Sequence, residues 1–81
     1  MAKIDCRGPL GNVYCIMAAA IRLAKQLNRD IKSNIDFDVF KDYLESSSSY
    51  EEVKQKIVLY FKDYFIDIEY IEDKEGEYGG Y

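Results

Sequence analysis

Histidine and tryptophan are both absent from this 81-residue chain, proline occurs once and cysteine twice. Without histidine, neither a His-based catalytic triad nor an imidazole metal site can be built, and two thiols fall short of a four-thiolate zinc site. No apolar run reaches the ~18 residues that span a bilayer, and no signal-peptide core opens the sequence. The expectation is therefore a cytoplasmic, reducing setting for Cys6 and Cys15, which also lack Cys-x-x-Cys spacing. Cys6 reads as a small buried hydrophobe. Positive charge is short as well: eleven Lys and Arg face fifteen Asp and Glu, for a net charge of −4. That balance disfavours duplex DNA as a partner, because phosphate contact needs a basic excess.

Hydrophobic residues make up 48% of the chain, which places it among folded proteins. The length fits one domain, expected over residues 1–71. Four of the acids and one base fall between Glu72 and Tyr81, so this end reads as an acidic flexible tail and the rest is close to neutral. Aromatics are plentiful, with eight Tyr and four Phe. A domain this short buries only ~60% of its unfolded surface, so some of those rings are expected outside. Tyr suits interfaces because its hydroxyl stays wet while its ring does not, and a homodimer or higher oligomer is the simplest use of them.

Along the chain, Ala2–Arg7 alternates, with Ile4 and Cys6 on one side, and predicts a strand. Gly8-Pro9-Leu10-Gly11-Asn12 is a dense turn signal that ends on a good helix cap. From Val13 to about Asn28, the residues Val13, Ile16, Met17, Ala20, Leu23, Ala24 and Leu27 share one helical face. The opposite face carries Cys15, Ala18, Ala19, Arg22, Gln26 and Arg29, half small and half polar, and its small side chains would let another helix approach. A second helix is expected over Ile35–Glu45, capped by Asp36 and burying Phe37, Phe40 and Leu44. Ser46–Ser49 end it, and Ser49-x-x-Glu52 reads as a capping box for a third helix over Tyr50–Asp63. Its apolar face is Tyr50, Val53, Ile57, Tyr60, Phe61 and Tyr64. Tyr64–Ile71 alternates again and predicts the last strand.

The fold class expected is α+β in the order β-α-α-α-β, a two-stranded antiparallel sheet packed on three helices. The connection between the strands is also long enough for a parallel crossover. Exposed edges on so small a sheet favour its continuation across a dimer.

Arg7–Tyr14 is the stretch most suggestive of a site. It leads from a strand end into a helix N-terminus, where the first amides lack helical partners and the helix dipole is positive. Arg7 offers a planar cationic fork, Gly8 and Gly11 permit close approach, Asn12 and Val13 begin the helix, and Tyr14 can stack. These six residues form a candidate ligand site for a small anion or nucleotide. A tight corner with Asn12 as cap and Arg7 paired to Asp5, Asp67 or Glu69 explains the same residues. Neither a Walker loop nor a dinucleotide fingerprint is present, and no cofactor is implied. Ala18 and Arg22 on the first helix and Val58 and Leu59 on the third are candidate interface residues. Leu59 and the aromatic Tyr43, Tyr60, Tyr78 and Tyr81 are candidate anchors.

The motif formed by Ile4, Asp5, Arg7, Gly8, Pro9, Gly11, Asn12, Tyr14, Met17 and Arg22–Leu27 resembles a group of short, uncharacterised proteins common in bacteriophage and prophage genomes. Ser49-Tyr50-Glu51 and Tyr60-Phe61-x-Asp63-Tyr64 resemble the acidic-aromatic ending of the same group. The similarity covers roughly residues 4 to 71, and the longer polar link before the second helix and the acidic tail depart from it. The resemblance implies a phage origin and expression inside a bacterial host, and transfers no activity. The function expected is a non-enzymatic accessory protein that binds a host or phage protein, with inhibition of a bacterial defence as one outcome. A nucleotide-sequestering protein acting through Arg7–Asn12 is the alternative, and a purely structural phage protein a third.

Overall fold

Four short joins connect the five main elements of the chain. The computed structural model describes residues 2–72. Strand β1 (Ala2–Asp5) leads through a 3-10 turn (Gly8–Gly11) into helix α1 (Val13–Asp30). Helix α2 (Phe37–Glu45), helix α3 (Tyr50–Lys62) and strand β2 (Ile68–Ile71) follow. With three helices between them, the strands are joined by a long crossover and not a hairpin, which permits a parallel pair.

The two strands are parallel, with Ala2 opposite Ile68, Lys3 opposite Glu69, Ile4 opposite Tyr70 and Asp5 opposite Ile71. This corrects the antiparallel pairing expected from the sequence, while the small α+β class and the element order stand. The antiparallel preference belongs to strands joined by a hairpin. Here three helices separate the strands, so no hairpin constrains their direction.

Each helix begins where local chemistry dictates. The Asn12 side chain accepts from the Tyr14 amide at 2.7 Å. Asp36 accepts from Asp38 and Val39, and Ser49 from Glu52 at 3.1 Å. The Glu52 carboxylate accepts from the Ser48 hydroxyl at 2.9 Å. Asn28 holds the α1–α2 link by donating to the Ile35 carbonyl and accepting from its amide.

The helices cover one face of the strand pair. Ile16, Met17, Ala20, Ala24 and Leu27 of α1 meet Phe40 and Leu44 of α2, Val53, Ile57 and Phe61 of α3, and Ile4 and Cys6 at the strand. An aromatic cluster joins α2 to α3, with Phe40 4.3 Å from Tyr60 and 5.6 Å edge-on from Phe61 between ring centres. The other sheet face is polar, and Lys3 and Glu69 pair across it at 3.7 Å.

The expected last strand over Tyr64–Ile71 shortens to Ile68–Ile71, because residues 63–67 form a corner. Phe65 turns that corner with φ 60. Of the expected acidic tail, Glu72 is tied to Lys54. Residues 73–81, including Tyr78 and Tyr81, lie outside the described residues.

Candidate functional site

In a parallel sheet the carboxyl ends of the strands and the helix N-termini that follow them gather at one end of the molecule, where ligands of such sheets are generally held. Here that end contains Asp5, Cys6 and the Arg7–Tyr14 corner. Arg7 folds back on Asp5: its backbone amide, Nε and Nη2 each donate to the carboxylate at 3.0 Å. These Arg7 bonds hold the Asp5 carboxyl down at about 2.

Gly11 stands so close to the strand end that a Cβ there would lie 2.5 Å from the Cys6 carbonyl oxygen. Gly8 meets a different need, with φ +53 and open space around it. The amides of Leu10 and Asn12 donate back to Arg7 and Pro9 at 3.1 and 3.3 Å.

Gly11, Asn12, Val13 and Tyr14 line a cavity of about 640 Å³ with Ser47 and Tyr50 across it. Arg7 is not part of that wall. Glu45 is its charged lining residue. The structure thus brings together four of the six residues read as a ligand site and points the Arg7 fork at Asp5 instead. Tyr14, 75% exposed, stands outward.

The candidate interface residues fall on two surfaces. Ala18 and Arg22 line a groove along β1, together with Asp5 and Cys15. Val58 and Leu59 line another with Lys54 and Tyr70. Among the anchors, Leu59 is 59% exposed, Tyr43 also reaches the surface, and Tyr60 is half-buried against Phe40.

One constellation escaped the sequence reading. Lys54 is buried on α3, and its ammonium lies 4.6 Å from the Tyr70 ring centre and 5.5 Å from that of Tyr50. Its ion-pair partner is Glu72. The Tyr70 hydroxyl donates to the Lys54 carbonyl at 2.8 Å. A buried ammonium is costly without such partners, and two aromatic faces and a carboxylate supply them.

Burial opposes the charge on Lys54, but hydrogen bonding and attraction from Glu72 raise its pKa above the ordinary value. Burial pushes up the Cys6 thiol, the Tyr50 phenol and, most strongly, the Tyr70 phenol. At neutral pH the cluster holds an ammonium, a neutral thiol and neutral phenols. Such a set clasps β2 to α3. The local signal was present, since Lys54 lies one turn after Tyr50 on its apolar side, but its partners are 16 and 18 residues away in sequence.

Among the described residues, the corner after α3 holds the most exposed aromatic side chain. The Phe65 amide donates to the Lys62 carbonyl at 2.9 Å and the Ile66 amide to the Phe61 carbonyl at 3.1 Å. Those two bonds define a Schellman cap, in which Phe65 takes the left-handed position that glycine normally fills. Its side chain is 97% exposed. Leu10, Ile31, Val39 and Leu59 are also about half exposed or more.

Among the described residues no helix is long and apolar enough to cross a membrane. Comparison with protein-family models, with curated proteins and with solved structures gave no match.

Proposed function

We propose that this chain is a small, non-enzymatic protein-binding factor, encoded by a phage or prophage and acting on a host or phage protein in a bacterial cell. The observation that carries this reading is Phe65. A left-handed backbone costs a residue with a Cβ roughly 1–2 kcal/mol, and glycine avoids most of that cost. The Phe65 ring recovers none of it by packing, being 97% exposed. An aromatic ring kept at a strained, solvent-facing corner suits an anchor for a pocket on another protein. Leu59 and Val58 on α3 extend the apolar surface available for contact. The motif around Ile4–Leu27 supports the phage setting, and a defence component is one partner class consistent with it.

The test compares the wild-type chain with Phe65→Gly as baits in a bacterial host lysate. Discrete proteins retained by the wild type should be lost with the variant, while the variant melts no lower than the wild type. The reading fails if both baits retain the same proteins, or if neither retains any.

A further inference from the structure

The hydrogen bonding of the strand pair leaves one edge of β1 open. The amides of Ala2 and Cys6 donate to the carbonyls of Asp67 and Ile71 at 2.8 and 2.7 Å. In a parallel ladder the alternate residue between them, Ile4, faces β2 in the same way. The N–H and C=O groups of Lys3 and Asp5 therefore point to the opposite edge, which no other described strand occupies. Beyond that edge α1 forms a ledge of small side chains. The groove between them holds about 380 Å³ and is lined by Ile4, Leu10, Cys15, Ala18, Ala19 and Arg22, among others. A two-stranded sheet is marginal by itself, and an open edge is a template for another strand.

We propose that a second copy of this chain fills the groove. Its β1 pairs antiparallel with β1 about a two-fold axis at Ile4, giving a four-stranded sheet in the order β2-β1-β1-β2. Side-chain charge selects both the occupant and the register. Residues opposite one another across a continued sheet share a face, so Lys3 and Asp5 on the outer face meet only each other or themselves. Lys3 on the partner's Lys3, or Asp5 on the partner's Asp5, places like charges together. Lys3 on the partner's Asp5 makes two opposite-charge pairs by symmetry and sets Ile4 against the partner's Ile4 above the ledge.

Backbone parity selects the same register. Lys3 and the partner's Asp5 form a hydrogen-bonded pair, exchanging both N–H···O=C bonds, and their backbone groups are the ones that face the edge. Lys3 then lies between Glu69 of its own chain, 3.7 Å away, and the partner's Asp5. The Asp5 Oδ2 takes only one of the three Arg7 bonds, so it retains a lone pair for the partner's Lys3.

Sedimentation equilibrium of the full chain at micromolar concentration tests the proposal, with circular dichroism as the check on folding. The wild type should sediment as a dimer. Lys3→Pro removes an edge amide and the exposed Lys3–Glu69 pair but no backbone bond to β2, and should give a folded monomer. Lys3→Glu should weaken the dimer about ten-fold or more, and the exchange Lys3→Glu with Asp5→Lys should restore it. Within one chain that exchange breaks both the Lys3–Glu69 and Asp5–Arg7 pairs, so only an intermolecular contact predicts recovery. A monomeric wild type overturns the proposal, as does a folded Lys3→Pro that dimerises like the wild type. If Lys3→Pro does not fold, the charge exchange decides, and a double variant no more dimeric than Lys3→Glu overturns it.

Discussion

Replacing Gly11 with alanine isolates the contact that fixes the strand-to-helix corner. The added Cβ would lie 2.5 Å from the Cys6 carbonyl oxygen, a backbone atom that cannot rotate away. The corner must open by several tenths of an ångström, an overpacking cost of roughly 1–3 kcal/mol. Gly11 does not have a positive φ, so alanine also narrows the unfolded ensemble and returns about 0.4–1 kcal/mol. Taken at the middle of those ranges, the net loss is about 1–2 kcal/mol. At roughly 4–8 °C per kcal/mol for a domain of this size, Tm should fall by ~4–16 °C. Gly8 is the internal comparison: there the space is open and φ is +53. Asparagine tolerates that left-handed geometry, so Gly8→Asn should be milder than Gly8→Ala. At Gly11 the larger side chain should be the worse one. Calorimetry of the four variants at one protein concentration reads this out. A Gly11→Ala chain that melts at or above the wild type, or the opposite ranking of the asparagine variants, refutes the close-approach argument.

Three further outcomes follow from the packing and the charges. Tyr60 is pushed from 10.0 up to about 12 by burial and by Tyr64, and Lys54 is raised through Glu72. Both bind protons more tightly when folded, so stability is intact below about pH 10 and is lost as the pH rises through the folded values. A Tm that holds constant between about pH 9 and about pH 11 contradicts this. Ile57→Ala empties a fully buried site and should cost ~2–5 kcal/mol, visible as loss of much of the folded signal in urea. The Ser47 hydroxyl is buried with no hydrogen-bond partner among the described residues, so Ser47→Ala should leave Tm unchanged or raise it.

The parts of this fold legible in the sequence are those set by near neighbours. Asn12, Asp36 and Ser49 cap their helices because each side chain reaches an amide only two or three residues on. The buried faces of α1 and α3 follow from helical spacing alone. Strand direction is different, because three helices separate Asp5 from Ile68 and no single segment records it. The start of β2 was misplaced because Tyr64-Phe65-Ile66 has strand-like composition, whereas the Schellman cap at Phe65 is set by backbone bonds to Phe61 and Lys62. At the candidate site, Arg7 alone does not reveal its partner: Asp5, Asp67 and Glu69 were all plausible, and the corner geometry selects Asp5. The Lys54 clasp was hidden because Tyr70 and Glu72 reach it only after the chain has closed.

Photo-crosslinking from position 65 tests the binding role most directly. With Phe65 replaced by benzoylphenylalanine in chains expressed inside bacterial cells, irradiation should yield a discrete covalent adduct with one partner protein. The same group at exposed Lys41 on α2 should not yield it. The absence of any adduct at position 65, or the same adducts from both positions, contradicts a role for the Phe65 corner in recognition.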